Sequence, residues 1–383
     1  MTQTLWNINK MLTNPARLPL SLAIKQKIFN RWRAGEIKKH ELHYLFWECT
    51  LRCNLHCLHC GSDCLATSGV PDMPVADFVR VLDDVKTHNP YQKLTVCITG
   101  GEPLLRADLE EAGREIKKRG FRWGIVTNAL MMAPERFVSL LNSGMSSISF
   151  SIDGFEKEHN HLRQHPHSFE KVVNAIQMSV DFQKQFPGRL VFDVITCVHR
   201  GNLGILRELR DFLIEKGVLH WRIFSIFPEG RAAQNDLALS TEEYRALMDF
   251  IAETREYKTA EGKSIHLNYS CEGYLGAYEL KVRDFFFFCR GGITVGSVMC
   301  DGSVSACLSV RAKDFIQGNI YSENFEFMRL WNTRYQNMRN REWAKVGKCA
   351  NCKQWKNCLG NGLHLHTDAH SEPARCNLEL LTN

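Results

Sequence analysis

From residue 44 to residue 257, short apolar runs alternate with longer stretches in which hydrophobic and polar positions form an amphipathic pattern. The short runs have the length and composition of buried strands, and they are Tyr44–Glu48, Leu94–Thr99, Trp123–Asn128, Ser147–Ile152, Leu190–Val198 and Trp221–Phe227. Apolar residues recur at helical spacing in Pro74–Thr87, Ala107–Arg119, Pro134–Asn142, Phe169–Gln185, Leu203–Glu215 and Thr241–Tyr257. Repeated βα units predict an α/β fold with a parallel sheet and right-handed crossovers. Six such units predict an open partial barrel with its functional loops at the C-terminal strand ends.

The segments that flank this rhythm have a different character. Residues 1–43 are predicted to form a helical lead-in, with an amphipathic helix over Leu18–Trp32. After about Lys263 the rhythm is lost, and residues 285–307 predict a hairpin that turns at Asp301-Gly302. The predicted domains are therefore 1–43, 44–262 and a cysteine-rich 263–383.

Composition limits the class of protein. Of the 383 residues, 44% are hydrophobic and 23% are charged, as in soluble globular proteins. We expect a cytoplasmic protein, because the sequence shows no secretory signal and no apolar run long enough to span a membrane. A net charge of +6 is too mild to indicate a nucleic-acid partner, and Arg31–Lys39 is interpreted as a solvated helical face. The odd, clustered set of 15 cysteines indicates metal binding rather than disulfides.

Three cysteines follow the first predicted strand in a short loop. Cys53, Cys57 and Cys60, here called the triad, have the spacing CX3CX2C. Thiolates are soft ligands that hold iron–sulfur cubes, and a [4Fe–4S] cube has four irons, so three thiolates leave one iron open. The alternative is a zinc site that combines Cys57 and Cys60 with His56, His59 or Cys64.

A glycine-rich loop, Gly100-Gly101-Glu102-Pro103, ends the second predicted strand. Its two glycines allow a close approach of the backbone to a neighbouring group. The triad and this loop together resemble the radical S-adenosylmethionine (SAM) superfamily, in which the open iron binds the amino and carboxylate groups of SAM. The resemblance implies a partial (β/α)6 barrel of the radical SAM type and a role for Glu102 in binding the SAM ammonium group.

The resemblance also implies further contacts with SAM. Polar residues at the ends of the third to fifth strands are the candidates: Thr127, Asn128, Ser151, Arg163 and Thr196, with Asn202 close by. For each of them an ordinary role at a strand end or turn is the alternative. The other cysteines near these strands are interpreted as packed thiols, namely Cys49, Cys64, Cys97 and Cys197.

The family chemistry begins with one electron delivered to the cube, from a reduced donor of the flavodoxin or ferredoxin type. The bond between sulfur and C5′ of SAM then breaks, and the 5′-deoxyadenosyl radical abstracts hydrogen from the substrate. The cofactor carries out this bond breaking, while the protein orients the reactants and excludes water.

A second group of cysteines lies near the C-terminus. The spacing Cys289-X12-Gly302-X4-Cys307 and Cys349-X2-Cys352-X5-Cys358, followed by Cys376, resembles the SPASM extension of radical SAM enzymes. That extension holds one or two auxiliary [4Fe–4S] clusters. The resemblance implies that Cys349, Cys352, Cys358 and Cys376 (the distal set) form a four-thiolate site, and that Cys289 and Cys307 (the near set) belong to a second cluster. A structural zinc ion in the distal set is the alternative.

The chain departs from the SPASM pattern at two positions. Gly362 replaces the cysteine expected four residues after Cys358, so the near set needs other ligands. Cys271 is the candidate third ligand and Cys300 a weaker one, while His364, His366 or substrate could fill the fourth position. The second departure is Leu308, which stands where sulfatase-maturing relatives carry an acidic base, so formylglycine formation is not expected. The acidic residues that could stand in for it are Asp301, Asp314 and Glu272.

Three functions follow as hypotheses. The first is a radical SAM/SPASM enzyme that abstracts hydrogen from a residue of a ribosomally made peptide or small protein, within a branch that resembles enzymes paired with a small lipoprotein or peptide. The second is a SPASM-type enzyme acting on a small molecule such as a tetrapyrrole side chain. The third is a non-enzymatic redox or binding protein stabilised by zinc or iron–sulfur clusters.

Overall fold

The computed structural model describes residues 19–91, 93–226, 229–270 and 272–382. Its strands are β1 (Tyr44–Thr50), β2 (Thr95–Gly100), β3 (Arg122–Thr127), β4 (Met145–Ser151), β5 (Val191–Val198), β6 (His220–Ser225), β7 (His266–Tyr269), β8 (Val295–Val298), β9 (Ser303–Ser305) and β10 (Gly318–Asn319). Its longer helices are α1 (Pro19–Lys39), α2 (Val75–His88), α3 (Leu109–Lys118), α4 (Pro134–Asn142), α5 (Glu156–Arg163), α6 (Ser168–Gln185), α7 (Leu206–Lys216) and α8 (Thr241–Glu256). Shorter helices follow as α9 (Glu279–Val282), α10 (Phe327–Arg334), α11 (Gln336–Arg339), α12 (Trp355–Cys358) and α13 (Glu379–Thr382).

All ten of these strands belong to one sheet in the order β10-β9-β8-β1-β2-β3-β4-β5-β6-β7. Strands β1 to β7 run parallel, as predicted for repeated βα units. Strand β8 pairs parallel with β1, and β9 returns antiparallel to β8. The hairpin that the sequence predicted at Asp301-Gly302 is therefore confirmed, and it extends the edge of the sheet beside β1.

The six predicted strands and six predicted helices of the barrel are confirmed with ends shifted by a few residues. Phe227, the last residue of the sixth predicted strand, lies outside the described residues, as do residues 1–18 of the predicted N-terminal lead-in. Between residues 44 and 270, helix α5 and strand β7 were not predicted, and after residue 307 neither β10 nor any helix was predicted. The predicted division between residues 262 and 263 falls between α8 and β7, and remains a prediction.

One face of the sheet packs against the helices through large aromatic side chains. Trp47, Trp123 and Trp221 point from β1, β3 and β6 into this layer, and all three are fully buried. Trp47 stacks on Phe78 of α2 with ring centroids 4.3 Å apart. On α3 only a glycine fits at Gly113, since a Cβ there would lie 2.2 Å from the Trp123 ring. The opposite face of the sheet lines the candidate site that is described below.

Helix α1 joins the barrel to the C-terminal region. The buried Arg33 guanidinium donates hydrogen bonds to the carbonyls of Lys356 (2.6 Å) and Asn357 (2.7 Å) in α12. Trp331 of α10 donates to the carbonyl of His40, just after α1. Within the described ranges, no helix is both long enough and apolar enough to cross a bilayer.

Candidate active site

The triad lies in the loop that leaves the C-terminal end of β1. A backbone hydrogen bond from Cys53 to the carbonyl of Leu65 (2.7 Å) closes this loop at its base. Cys57 is buried, whereas Cys53 and Cys60 are half-buried. Burial raises the pKa of Cys53 to about 11 and that of Cys57 in the same direction, and mutual repulsion of the triad thiolates adds to both shifts. The Cys53 and Cys57 thiolates would therefore need a strong counter-charge, such as iron, to stay deprotonated, whereas a hydrogen bond from Cys64 lowers the pKa of Cys60 to about 5.

The glycine-rich loop docks directly on the segment that leads into the triad. The backbone N–H of Gly101 bonds the Thr50 carbonyl (2.8 Å), and that of Glu102 bonds the Arg52 carbonyl (2.9 Å). A Cβ at Gly100 would lie 2.1 Å from the Thr50 oxygen, and one at Gly101 would lie 2.0 Å from the Arg52 oxygen. Gly100 also has a φ of +139°, which side chains disfavour. Both glycines are therefore required for this backbone contact.

The Glu102 carboxylate is buried beneath the triad loop and accepts three hydrogen bonds. Its donors are the Leu104 N–H (3.0 Å), the Thr127 hydroxyl (2.7 Å) and the Asn128 N–H (2.8 Å). Burial raises the pKa of Glu102, against the effect of these donors. The carboxylate thus links the ends of β2 and β3, the strand ends that carry the predicted SAM contacts.

Two polar side chains reach the sulfur atoms of the triad. The Asn128 amide donates to the Cys53 sulfur (3.9 Å) and to Asn54 (2.9 Å), and the Arg163 guanidinium donates to the Cys57 sulfur (3.8 Å). Donors of this kind stabilise an anionic cluster. Asn128 and Arg163 are two of the predicted SAM-contact residues, and the structure places both beside the triad.

Arg163 is held by a buried acidic partner at the end of β4. Its guanidinium bonds Asp153 at 2.7 Å, and Asp153 is fully buried. Burial opposes ionisation of Asp153, but Arg163 overcomes it and lowers the pKa of Asp153 to about 2. Asp153 also accepts the backbone N–H of Cys197 (2.9 Å), so this pair fixes the ends of β4 and β5 to each other.

The remaining predicted SAM contacts are placed differently. Ser151 lies half-buried at the end of β4, on the same face as Ser149, which lines the cavity described below. The hydroxyl of Thr196 points to the opposite face, where it donates to the Ile152 carbonyl (2.6 Å) and accepts from Trp221 (2.9 Å). The structure therefore does not bring the Thr196 hydroxyl toward the triad. Asn202 bonds the Asp153 carbonyl (2.8 Å).

One trio of possible metal donors includes His59 of the triad loop. Among the described residues, the group of three such donors found within 4.8 Å of one another is His59, Asp153 and Cys197. Sulfurs that share one zinc ion lie about 3.8 Å apart, from Zn–S bonds of about 2.3 Å. Among the described residues, none of the cysteine sets brings three sulfurs within 4.8 Å of one another. The Asp153 oxygens already bind Arg163 and Cys197, so we assign no ion to this trio.

A cavity of about 780 Å³ occupies the inner face of the sheet. Side chains from six consecutive strands face it, namely Phe46, Thr99, Val126, Ser149, Cys197 and Phe224. His59 and Ser62 of the triad loop line one part of its wall, and the near set lines another. The segment Phe285–Phe288 provides an aromatic wall. The cavity therefore adjoins both the triad loop and the near set.

Polar groups also face this cavity, and of these Ser149 and Arg222 were not singled out by the sequence analysis. Ser149 donates to Asp193 (2.6 Å), and Arg222 pairs with Asp193 and donates to Ser149 (2.9 Å). His59 carries a buried Nδ1 with no hydrogen-bond partner among the described residues. Burial lowers the pKa of His59 to about 3, so it presents a neutral imidazole to the cavity.

Of the three acidic residues proposed as stand-ins at Leu308, only Glu272 lines the cavity. Its carboxylate accepts from the Ser225 hydroxyl (2.5 Å) and from Arg375 (2.5 Å). Asp301 and Asp314 instead accept backbone N–H groups of the hairpin turn and of Ala369.

The distal set converges on one small cavity. Cys349, Cys352, Cys358 and Cys376 all line a space of about 110 Å³. Burial raises the pKa of Cys349 to about 11 and that of Cys358 to about 12, and repulsion from Cys376 adds to both. The backbone N–H of Asn361 donates to the Cys358 sulfur (3.2 Å). The chemistry of this donor set fits the four-thiolate cluster implied by the resemblance.

The near set lines the large cavity. Burial raises the pKa of Cys307, and the neighbouring Cys289 adds to that shift. Cys271, the predicted third ligand, lies outside the described residues. Cys300, the weaker candidate, instead donates to the Pro71 carbonyl (3.3 Å), beside β1.

His364 fills the space beside Gly362, the position where the resemblance places a cysteine. A Cβ at Gly362 would lie 2.6 and 2.8 Å from two atoms of the His364 ring. His364 lines the same cavity as the near set. His366, the other candidate, has both ring nitrogens against backbone carbonyls, those of Ser371 (2.8 Å) and Gly360 (2.6 Å).

Comparison with known proteins agrees with this geometry. A family model described as the radical SAM superfamily matches residues 47–213, and one described as the SPASM iron–sulfur cluster-binding domain matches residues 289–353. The chain is 28% identical over 336 residues to an AdoMet-dependent heme synthase of Methanosarcina barkeri, covering 82% of this chain and 89% of the relative. It is 27% identical over 319 residues to the mycofactocin maturase MftC of Mycolicibacterium smegmatis, covering 82% and 76%.

Solved structures share the fold. Streptococcus suis SuiB bound to S-adenosylmethionine matches with a TM-score of 0.68 and 16% identity, covering 96% of this chain and 85% of that one. SuiB bound to the precursor peptide SuiA gives a TM-score of 0.67 at 18% identity, covering 90% and 78%. The partial barrel with a C-terminal cysteine-rich extension is confirmed by these similarities.

Proposed function

The chain is an enzyme of the radical SAM superfamily with a SPASM extension, and we propose that it abstracts hydrogen from a residue of a ribosomally made peptide or small protein. The [4Fe–4S] clusters and SAM belong to this family, and when bound they supply the 5′-deoxyadenosyl radical. The observation that carries the proposal is the single cavity lined by the triad loop and by the near set. A side chain held there would face SAM on one side and an auxiliary cluster on the other.

The proposed SAM site uses the residues gathered around the triad. Cys53, Cys57 and Cys60 would hold three irons, and the fourth iron would bind SAM. The Gly100-Gly101-Glu102-Pro103 loop would position the SAM ammonium group, chiefly through its closely docked backbone, because the Glu102 carboxylate already accepts three hydrogen bonds. Asn128 and Arg163 would stabilise the cluster sulfurs, with Ser151 toward the cavity.

The proposed auxiliary sites use the C-terminal cysteines. The distal set would hold a complete cluster, because its four thiols line one cavity. The near set would hold a second cluster with Cys271, and we assign its fourth position to His364. Support for His364 comes from its ring, which fills the space beside Gly362, whereas both nitrogens of His366 face backbone carbonyls.

Three observations support a peptide. The shared fold accommodates one in SuiB, whose structure holds the precursor peptide SuiA, and the maturase MftC is among the sequence relatives. The aromatic wall Phe285–Phe288 offers an apolar surface to a hydrophobic or aromatic side chain.

The proposed electron donor is of the flavodoxin or ferredoxin type and would reduce the clusters. The enzyme would meet this donor in the cytoplasm.

A second candidate is a tetrapyrrole substrate. An AdoMet-dependent heme synthase and an Fe-coproporphyrin III synthase, both of Methanosarcina barkeri, are 28% and 24% identical to this chain over more than four fifths of its length. The aromatic wall would also suit a large planar ring. This candidate shares the SAM site and differs only in the occupant of the cavity.

The first test measures 5′-deoxyadenosine released from SAM under dithionite by the oxygen-free, reconstituted protein. We expect release by the wild type and none above background by Cys53→Ala. Cys49→Ala is the matched control, because Cys49 is a fully buried thiol on β1 outside the triad. Equal release by Cys53→Ala and the wild type would refute the proposed site.

The second test identifies the substrate. Any short peptide encoded next to the gene is coexpressed with the enzyme, and the peptide is analysed by mass spectrometry with wild-type enzyme and with Cys53→Ala. A mass change that requires Cys53 supports the peptide. A parallel assay offers the enzyme an iron–tetrapyrrole. If the tetrapyrrole is consumed and the peptide is unchanged, the peptide hypothesis is wrong and the second candidate is supported.

A further inference from the structure

Arg341 is a buried cation that lies between the two auxiliary cysteine sets. Its side chain is 7% exposed and follows α11. Its Nη2 donates to the Asn361 carbonyl (2.9 Å), whereas its Nη1 has no hydrogen-bond partner among the described residues. The guanidinium carbon lies 5.5 Å from the centre of the Trp343 ring.

Among the described residues, no carboxylate balances this charge. Within the described ranges, no ion pair joins Arg341 to an Asp or Glu side chain within 4.0 Å. Burial of an unpaired guanidinium is costly, so a native protein supplies an anion or another compensating group. Burial lowers the pKa of Arg341, and the groups that oppose this shift are Cys289 and Cys358, one thiol from each set.

Hydrogen bonds connect Arg341 to the distal set through one residue. The N–H of Asn361 donates to the Cys358 sulfur (3.2 Å), and the Cys358 thiol bonds the Asn361 side chain (3.1 Å). The carbonyl of the same Asn361 accepts from Arg341. Gly362 follows directly, and its neighbour His364 lines the cavity of the near set. The Asn361-Gly362 segment thus separates the two sites, with Arg341 bound to it.

We infer that Arg341 is the shared counter-ion of the two auxiliary clusters and that it favours their reduced states. This inference rests on the proposed cluster ligands. Each cluster gains one negative charge when it accepts one electron, so a fixed positive charge nearby stabilises the reduced form. One guanidinium between both clusters raises both reduction potentials, and its unpartnered Nη1 is available to a cluster sulfur.

The test is a redox titration of the reconstituted enzyme followed by EPR, with dithionite as reductant. In Arg341→Gln we expect the ratio of reduced to oxidised auxiliary clusters, at a fixed potential, to fall about tenfold, which is about 59 mV for one electron. Arg341→Lys keeps the charge and should retain most of the wild-type ratio. The SAM-binding cluster should titrate unchanged in both variants.

Arg339→Gln is the matched control. Arg339 is equally buried at 8% exposure and bonds the carbonyls of Gly292 and Trp331, close to the same region. We expect its auxiliary clusters to titrate as in the wild type.

The outcomes separate this inference from the proposed function. Wild-type potentials in Arg341→Gln, with full iron content, would overturn the inference and leave the proposed function standing. Equal shifts in Arg341→Gln and Arg341→Lys would also overturn it, since geometry rather than charge would then matter. A wild-type enzyme with no auxiliary-cluster signal would refute the ligand assignment itself, and the inference with it.

Discussion

The hydroxyl of Thr127 donates a 2.7 Å hydrogen bond to the Glu102 carboxylate, and this bond joins the C-terminal ends of β2 and β3. The same hydroxyl accepts the backbone N–H of Ala129 (2.9 Å). Both side chains are buried, at 2% and 1% exposure. The loop that carries the predicted SAM contacts is therefore fixed to the next strand by a buried carboxylate.

Replacing this carboxylate by an amide should destabilise the protein. In Glu102→Gln one of the buried donors, at Leu104, Thr127 or Asn128, would face an NH2 group and lose its acceptor. We expect a loss of about 1–3 kcal/mol in the free energy of unfolding, measured anaerobically in urea. Thr127→Val removes one donor to this carboxylate and also leaves the Ala129 N–H without its acceptor, so we expect a loss of similar size. If Glu102→Gln leaves the free energy of unfolding unchanged, the carboxylate does not have this linking role.

Adding a methyl group to the glycine-rich loop should disrupt the triad selectively. In Gly101→Ala the new Cβ would lie 2.0 Å from the Arg52 carbonyl, so the segment leading to Cys53 must move. We expect loss of about four irons per chain and loss of 5′-deoxyadenosine release. Gly204→Ala is the control, because nothing lies within 4 Å of its Cβ position. Wild-type iron content and SAM cleavage in Gly101→Ala would refute the close packing.

The proposed ligation by His364 has a spectroscopic signature. Pulsed EPR of the reduced auxiliary clusters should show coupling to a directly bound nitrogen, as expected for imidazole on iron. This coupling should disappear in His364→Ala and persist in His366→Gln, since both His366 nitrogens face backbone carbonyls. Persistence of the coupling in His364→Ala would assign the nitrogen to another group.

Acidification should destabilise the fold through His159. Its Nδ1 accepts the Asp153 N–H (3.0 Å), its Nε2 bonds Ser168 (2.9 Å), and burial lowers its pKa to about 4. The unfolded chain binds this proton near pH 6.5, so the stabilisation is complete above that pH. Below pH 6.5, the contribution of His159 to the free energy of unfolding falls by about 1.4 kcal/mol per pH unit as the pH drops toward 4.

The measurement compares urea unfolding of the wild type and His159→Gln at several values between pH 7 and pH 5. Other buried histidines titrate in both proteins, so the difference between the two curves isolates His159. We expect this difference to shrink as the pH falls, because only the wild type loses stability through this residue. A constant difference across the range would show that His159 does not titrate on unfolding.

The barrel was predictable because its strands are apolar and its helices are strongly periodic. Helix α5 was missed because its sequence is mostly charged and polar, and it buries His159 and Arg163 as well as Leu162. A hydrophobic pattern treats such residues as exposed, and only the tertiary partners Asp153 and Ser168 make their burial favourable. Strand β7 was missed because only four residues form it.

Candidate sites formed within one loop could be predicted from the spacing of cysteines, whereas sites formed by side chains from several strands could not. The triad and the distal set are local patterns, whereas Ser149, Asp193 and Arg222 meet only because β4, β5 and β6 align in a particular register. The sequence did indicate the direction of the Thr196 side chain. Side chains alternate along a strand, so a cavity that receives Ile195 and Cys197 cannot also receive Thr196.

The pairing of β8 with β1 has a practical consequence. Tyr44–Trp47 aligns with Val295–Val298, so the C-terminal region covers the flank of the strand that leads to the triad. A chain truncated after α8 would leave this flank bare, and exposed strand edges recruit other chains. Attempts to express the barrel alone should therefore yield aggregates, and the enzyme must be produced and loaded with iron as one indivisible unit.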